Sequence, residues 1–260
     1  MPSRQRNPLG SPCWADLWTS DVEGSRRFYG ELFGWEANEP SPEFGGYFMF
    51  HRQGVPVCGA MGDMGDMSAT DTWKIYLDTE DVAKTAELAA ANGAEIVAPA
   101  EAVADLGIQL VLTDPTGAYV GAWQPGTFPG FTVLGEHGAP GWFELFTRDF
   151  ATSRQFYGTV FRWETDLVAD TDEFRYATMR NPDGEGELAG IMDASAFLPA
   201  GVPDHWSVYW EVDDAAASVA TVVSLGGSIV DDVQDTPYGR MATVADPAGA
   251  TFKLRTPPGR

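Results

Sequence analysis

The chain has 260 residues and a formal net charge of −22, from 38 acidic against 16 basic side chains. Phosphate backbones and anionic headgroups are bound through Lys and Arg, so this balance excludes nucleic acid and an anionic membrane surface as partners. The length suffices for two domains, each with its own core, and a hydrophobic fraction of 44% fits a globular protein. No apolar run approaches a bilayer span, and residues 1–11 lack the apolar core of a signal peptide, so a cytoplasmic protein is expected. The two cysteines, Cys13 and Cys58, do not make a disulfide framework.

Residues 1–12 read as a loose arm punctuated by Pro2, Pro8, Gly10 and Pro12. Residues 13–19 read as a strand, with Ala15 and Leu17 alternating with Trp14, Asp16 and Trp18. Ser20 or Asp21 caps a helix whose Phe28/Leu32 and Tyr29/Phe33 pairs share one side, and Gly34 ends it. Strands follow over 47–51 and 55–61 around Gln53-Gly54, and 62–70 is a Met-, Gly- and Asp-rich connection expected to be mobile. A second unit of the same kind has a strand over 72–79, a helix from Asp81 to Asn92 stopped by Gly93, and strands over 95–97, 109–113 and 119–123. The last two are joined by the turn Asp114-Pro115-Thr116-Gly117.

This plan recurs. Trp14-Ala15-Asp16-Leu17-Trp18 returns as Trp142-Phe143-Glu144-Leu145-Phe146, Phe28-Tyr29-Gly30 as Phe156-Tyr157-Gly158, and Asp114-Pro115-Thr116-Gly117 as Asp246-Pro247-Ala248-Gly249. In the second half, strands are expected over 141–147, 174–179, 188–192, 205–212, 228–230, 241–245 and 251–254, and helices over 150–160 and 214–225. A repeat of this length means duplicated domains, here 9–124 and 136–257 with a linker at 125–135. The fold class is α+β.

Pleated strands send neighbours to opposite faces. One face is apolar (Trp206, Val208, Trp210, Val212) and suited to burial under a helix. The other is aromatic with a few polar groups: Trp14, Asp16, Trp18, Lys74, Tyr76 and Trp123 in the first half, and Trp142, Glu144, Phe146, Ser207, Tyr209 and Lys253 in the second. Such a face suits a small-molecule site, and these twelve are the candidate site residues. Asp16 or Glu144, desolvated in an aromatic wall, would suit a general base, and equally would serve as a hydrogen-bond acceptor. Lys74 or Lys253 could hold a ligand carboxylate or enolate, whereas Arg240 reads as half of a surface ion pair. No Gly-x-Ser-x-Gly, phosphate-cradling loop or His-Glu-x-x-His occurs.

The strand, the helix with Phe-Tyr, the following Gly-Trp and the later Asp-Pro-x-Gly resemble the vicinal oxygen chelate superfamily, which includes glyoxalase I, extradiol dioxygenases and bleomycin resistance proteins. The tandem form is similar to actinobacterial proteins labelled glyoxalase-like or hydroxylase, some of them beside aromatic polyketide pathways. The resemblance implies tandem duplicated glyoxalase-like domains, each of two βαβββ modules forming a half-open barrel. It also implies a divalent metal, whose ligand positions fall on Trp14 and Trp142, near Lys74 and Ser207, on Gly121 and Lys253, and near Gly59 and Gly190. None of these is a good ligand, so no metal residue and no cofactor is assigned, with a divalent transition metal as the alternative. In that alternative His205 and Glu144, also the candidate catalytic pair, would share a site with one further carboxylate. The expected function is metal-independent binding of an aromatic or apolar metabolite, for resistance or as a biosynthetic accessory. The alternatives are a glyoxalase-type lyase or isomerase and an accessory hydroxylase or oxygenase. The chain is expected as a monomer with its domains paired internally, or as a homodimer.

Overall fold

The computed structural model describes residues 6–62, 71–171, 173–181 and 186–259; most of the 62–70 connection lies outside these. The first module is β1 (Pro12–Thr19), α1 (Val22–Phe33), β2 (Glu36–Ala37), β3 (Phe48–Arg52) and β4 (Val55–Gly62), and the second is β5 (Thr72–Asp78), α2 (Val82–Ala91), β6 (Glu95–Val103), β7 (Gly107–Thr113) and β8 (Tyr119–Pro125). The third is β9 (Pro140–Thr147), α3 (Phe150–Val160), β10 (Thr165–Asp170), β11 (Arg175–Arg180) and β12 (Glu187–Asp193), and the fourth is β13 (His205–Glu211), α4 (Ala215–Ser224), β14 (Ser228–Thr236), β15 (Gly239–Ala245) and β16 (Thr251–Thr256). Among the described residues each half forms one open eight-stranded sheet, in the orders β2-β3-β4-β1-β5-β8-β7-β6 and β10-β11-β12-β9-β13-β16-β15-β14. The two modules of each half join where β1 meets β5 and β9 meets β13, both antiparallel.

All four helices start the same way. Asp21, Asp81, Asp149 and Asp214 each accept a backbone N–H from the first turn, an arrangement worth about 1 kcal/mol per helix. Gly34 ends α1 in the left-handed region at φ 69°, and at the matching place after α3 Arg162 adopts φ 61°.

The apolar face of each sheet is covered by the other half as well as by its own helices. Trp73 of β5 meets Trp210 of β13 at 5.1 Å, and Trp210 also contacts Trp35 at 4.9 Å. Tyr29 and Phe33 of α1 pack on Phe252 of β16. The indole N–H of Trp35 donates to the Gly138 carbonyl, and that of Trp163 to the Gly10 carbonyl, both at 2.8 Å. Burying aromatic rings of this size contributes about 2–3 kcal/mol each, so this junction is a continuous core. Cys13 and Cys58 are both buried free thiols within it.

The two-residue β2 is added, and three longer strands differ from expectation: β10 is added, and β6 and β14 run to nine residues each. All three are sheet edges with mostly solvent-exposed side chains. Edge strands need backbone pairing but little apolar alternation, and bulges in all three pairings break their period of two.

Candidate functional site

On the first sheet, register sets Asp16 level with Gly59 on one side and Lys74 on the other, while Tyr76 is level with Gly121. The Asp16 carboxylate, 5% exposed, accepts from Trp14 Nε1 at 3.0 Å, from the Tyr47 hydroxyl at 2.8 Å and from the Tyr76 hydroxyl. Burial pushes its pKa up to about 6, against the lowering effect of those three donors and of the Lys74 charge. The Lys74 ammonium lies 3.6 Å from the Trp18 ring centroid and 4.2 Å from that of Tyr119, a cation–π cradle. Its burial brings the pKa down to about 8, with Asp16 opposing. Glycine is required beside the tyrosines. A Cβ on Gly59 would lie 1.8 Å from the Tyr47 hydroxyl, and one on Gly121 would lie 2.1 Å from the Tyr76 ring.

The second sheet repeats this plan. Glu144 is level with Gly190 and Ser207, and Tyr209 with Lys253. Glu144 accepts from the Tyr209 hydroxyl at 2.5 Å and from the Tyr176 hydroxyl, which in turn accepts from Trp142 Nε1 at 3.1 Å. The Lys253 ammonium donates to Thr243 Oγ1 at 2.9 Å and lies 5.0 Å from the Phe146 ring centroid. Burial lowers its pKa, opposed by Glu144 and Asp231.

The structure therefore gathers Trp14, Asp16, Trp18, Lys74 and Tyr76 in one cluster, and Trp142, Glu144, Ser207, Tyr209 and Lys253 in another. His205 is level with Phe146, two positions along β9 from Glu144; it stacks on the Phe146 ring at 5.4 Å, and its Nδ1 is 2.9 Å from the Pro203 carbonyl. Burial lowers its pKa. Trp123 donates to the Phe128 carbonyl at 2.9 Å, and Arg240 forms an ion pair with Asp235 at 3.1 Å. Tyr47 and Tyr176 were not among the candidates. Their matching positions, 129 residues apart, were the available signal. Also unanticipated is the pair at the end of the second face. Arg255 Nε donates to Glu211 at 2.7 Å, and Glu211 is wholly buried. At the matching place in the first half Asp78 faces Trp123 instead, and burial carries its pKa to about 7, the Arg6 charge opposing. A separate cavity of about 140 Å³ lies between α2 and the end of α3, lined by Asp78, Lys84 and Arg162 among others, away from both carboxylate clusters.

The fold implies a divalent metal, and these residues do not fit one. Each row offers a single carboxylate whose oxygens are engaged by tyrosine hydroxyls. Its neighbours are Gly59 and Lys74, or Gly190 and Ser207 with Lys253 nearby: the glycines bring no side-chain ligand atom, the lysines bring ammonium charge, and Ser207 brings only a neutral hydroxyl. Among the described residues no three His, Cys, Asp or Glu side chains converge as a ligand set.

The family model described as Glyoxalase/Bleomycin resistance protein/Dioxygenase superfamily matches residues 13–121 and 139–254. The chain is 32% identical over 262 residues to CFP32 of Mycobacterium tuberculosis, whose name gives glyoxylase as a provisional activity, covering 99% of this chain and 98% of that one. It is 34% identical over 265 residues to the anthracycline biosynthesis protein DnrV of Streptomyces peucetius, covering 94% and 92%. Among solved structures, the Mn(II)-bound glyoxalase of Novosphingobium aromaticivorans superposes with a TM-score of 0.66 at 15% identity, covering 96% of this chain and 82% of that one, a likeness of fold.

Proposed function

The chain belongs to the glyoxalase/bleomycin resistance protein/dioxygenase superfamily, and from that membership we propose that it is a small-molecule-binding protein that works without a metal and takes an aromatic or apolar metabolite on a concave sheet face. The observation carrying this is the repeated set of one buried carboxylate and two tyrosine hydroxyls, joined on each face by a lysine from a different strand and set among aromatic rings. The rings supply stacking area, and the tyrosine and lysine donors fix the orientation of a carbonyl, phenolate or carboxylate on the ligand. Support for a fused aromatic ligand comes from the relative named for anthracycline biosynthesis. Sequestration for resistance and an accessory role in a biosynthetic pathway both follow from such binding.

A metal-free acid–base reaction, of the kind a glyoxalase-type lyase or isomerase would need, is the second reading. It is favoured by Asp16, whose carboxyl titrates near 6 and so can both take and return a proton close to neutrality. The test is elemental analysis of untagged protein, followed by calorimetric titration with hydroxyanthraquinones and a turnover assay with dicarbonyl hemithioacetals. Metal-free protein that binds the aromatic compound is the expected result. A stoichiometric transition metal needed for binding would overturn the proposal. Glu144→Gln is expected to alter affinity alone; loss of turnover with unchanged affinity would move the weight to the enzyme.

A further inference from the structure

We propose that the second half carries the open binding face, and that a planar aromatic ring of the ligand sits over Trp142, where two of the chain's own rings occupy the matching place over Trp14. This rests on the reading that the chain binds an aromatic small molecule. Trp14 and Trp142 are repeat partners, and each indole N–H donates to the matching phenol, to Tyr47 at 2.9 Å and to Tyr176 at 3.1 Å. The ring planes are thus held by equivalent bonds, over equivalent carboxylates.

Their covers differ. Phe128 packs edge-on against Trp14 at 4.8 Å and Phe131 lies tilted at 5.2 Å, leaving Trp14 only 5% exposed. Both rings are tied down by backbone. The Phe128 carbonyl accepts from Trp123 Nε1 at 2.9 Å, and the Phe131 N–H donates to the Cys13 carbonyl at 2.7 Å. Trp142 is partly exposed, and no ring of the described residues packs on it. Trp123 is replaced there by Arg255, which turns to Glu211 and to the Gly141 carbonyl.

The first half therefore displays what this surface accepts: aromatic rings, edge-on or tilted, over an indole whose orientation is fixed. In the second half no ring of the described residues takes that seat, and the Tyr176 hydroxyl and the half-buried Lys253 lie on the same face. A fused planar ring bearing an oxygen substituent matches it. The rings over Trp14 act as an internal stand-in that closes the first face.

The test is calorimetric titration of the full chain with alizarin, together with ¹⁵N-indole NMR. One molecule per chain is expected, with the Trp142 Nε1–H signal, identified by its loss in Trp142→Phe, moving on titration while that of Trp14 stays in place. Trp142→Ala should weaken binding by about ten-fold or more, and Trp142→Phe by less. The double variant Phe128→Ala, Phe131→Ala should raise the stoichiometry to two and leave the first affinity unchanged. Unchanged binding by Trp142→Ala, or movement of the Trp14 signal in the unaltered chain, would overturn the placement while the aromatic-ligand reading stands. No binding of any hydroxyanthraquinone by the unaltered chain would overturn that reading itself.

Discussion

Tyr29 donates its hydroxyl hydrogen bond to Asp246, 217 positions away, at 3.0 Å, and Tyr157 gives the same bond to Asp114 at 2.9 Å. The acceptors are the aspartates of the two Asp-Pro-x-Gly turns. One oxygen of each holds its own turn, taking N–H groups from Ala248, Gly249 and Ala250, or from Thr116 and Ala118. The other oxygen holds the opposite half of the chain. Tyr29→Phe and Tyr157→Phe are expected to lower stability by about 1–3 kcal/mol each, since a buried acceptor loses its donor. Urea unfolding would measure this, and a change near zero in both would contradict the role.

Asp16 gives the native state a pH dependence of known sign. Its carboxyl titrates near 6 when folded against 3.8 ordinarily. The folded chain holds the proton more tightly, so this contribution is complete below pH 4, is lost as pH rises through 6, and is level above. The loss amounts to about 3 kcal/mol. Asp16→Asn should make the fall between pH 4 and 6 shallower and leave the fall from Asp78, which runs from pH 4 to 7 because its carboxyl titrates near 7 when folded. Urea midpoints across that range are the measurement, and an unaltered slope in Asp16→Asn would refute the assignment.

Gly121 is a steric requirement of Tyr76. With an added Cβ only 2.1 Å from the ring, Gly121→Ala must displace a buried side chain, at about 1–3 kcal/mol. The displaced ring should also weaken the hydrogen bond to Asp16. Thermal unfolding reads the first effect and carboxyl NMR titration the second; a variant as stable as the parent would contradict both.

Arg255 neutralises Glu211, which is wholly buried. Removing the guanidinium leaves a buried carboxylate without its ion pair to Arg255, so Arg255→Ala should cost about 3–5 kcal/mol. Adding Glu211→Gln to it should recover part of that loss. Equal stability of the single and double variants would argue against the charge as the cause.

Much of this was legible in residue order. The repeat, the four helices with Asp81 and either Ser20 or Asp21 as caps, and the division of the central strands into an apolar and a mixed face all follow from residue spacing; the caps Asp149 and Asp214 came from the structure. Lys74 and Asp16 were placed on one face by alternation alone, and register sets them level. The reciprocal bond of Tyr29 to Asp246 was not legible, since no local rule joins residues in different domains. Nor was the part played by Phe128 and Phe131, whose surroundings read as a Pro- and Gly-punctuated linker. β10 escaped because Leu167 and Val168 face solvent at a sheet edge, where alternation carries no burial.

The tether between the halves has an evolutionary consequence. In a pair of identical subunits every substitution appears on both faces, so a ring that seals one would seal the other. Joined in a single chain, the faces inherit changes separately. Phe128 and Phe131 could cover Trp14, and Arg255 could stand where Trp123 stands in the first half, with neither change copied across. If the second half holds the ligand, as proposed above, the first is free to serve as its scaffold.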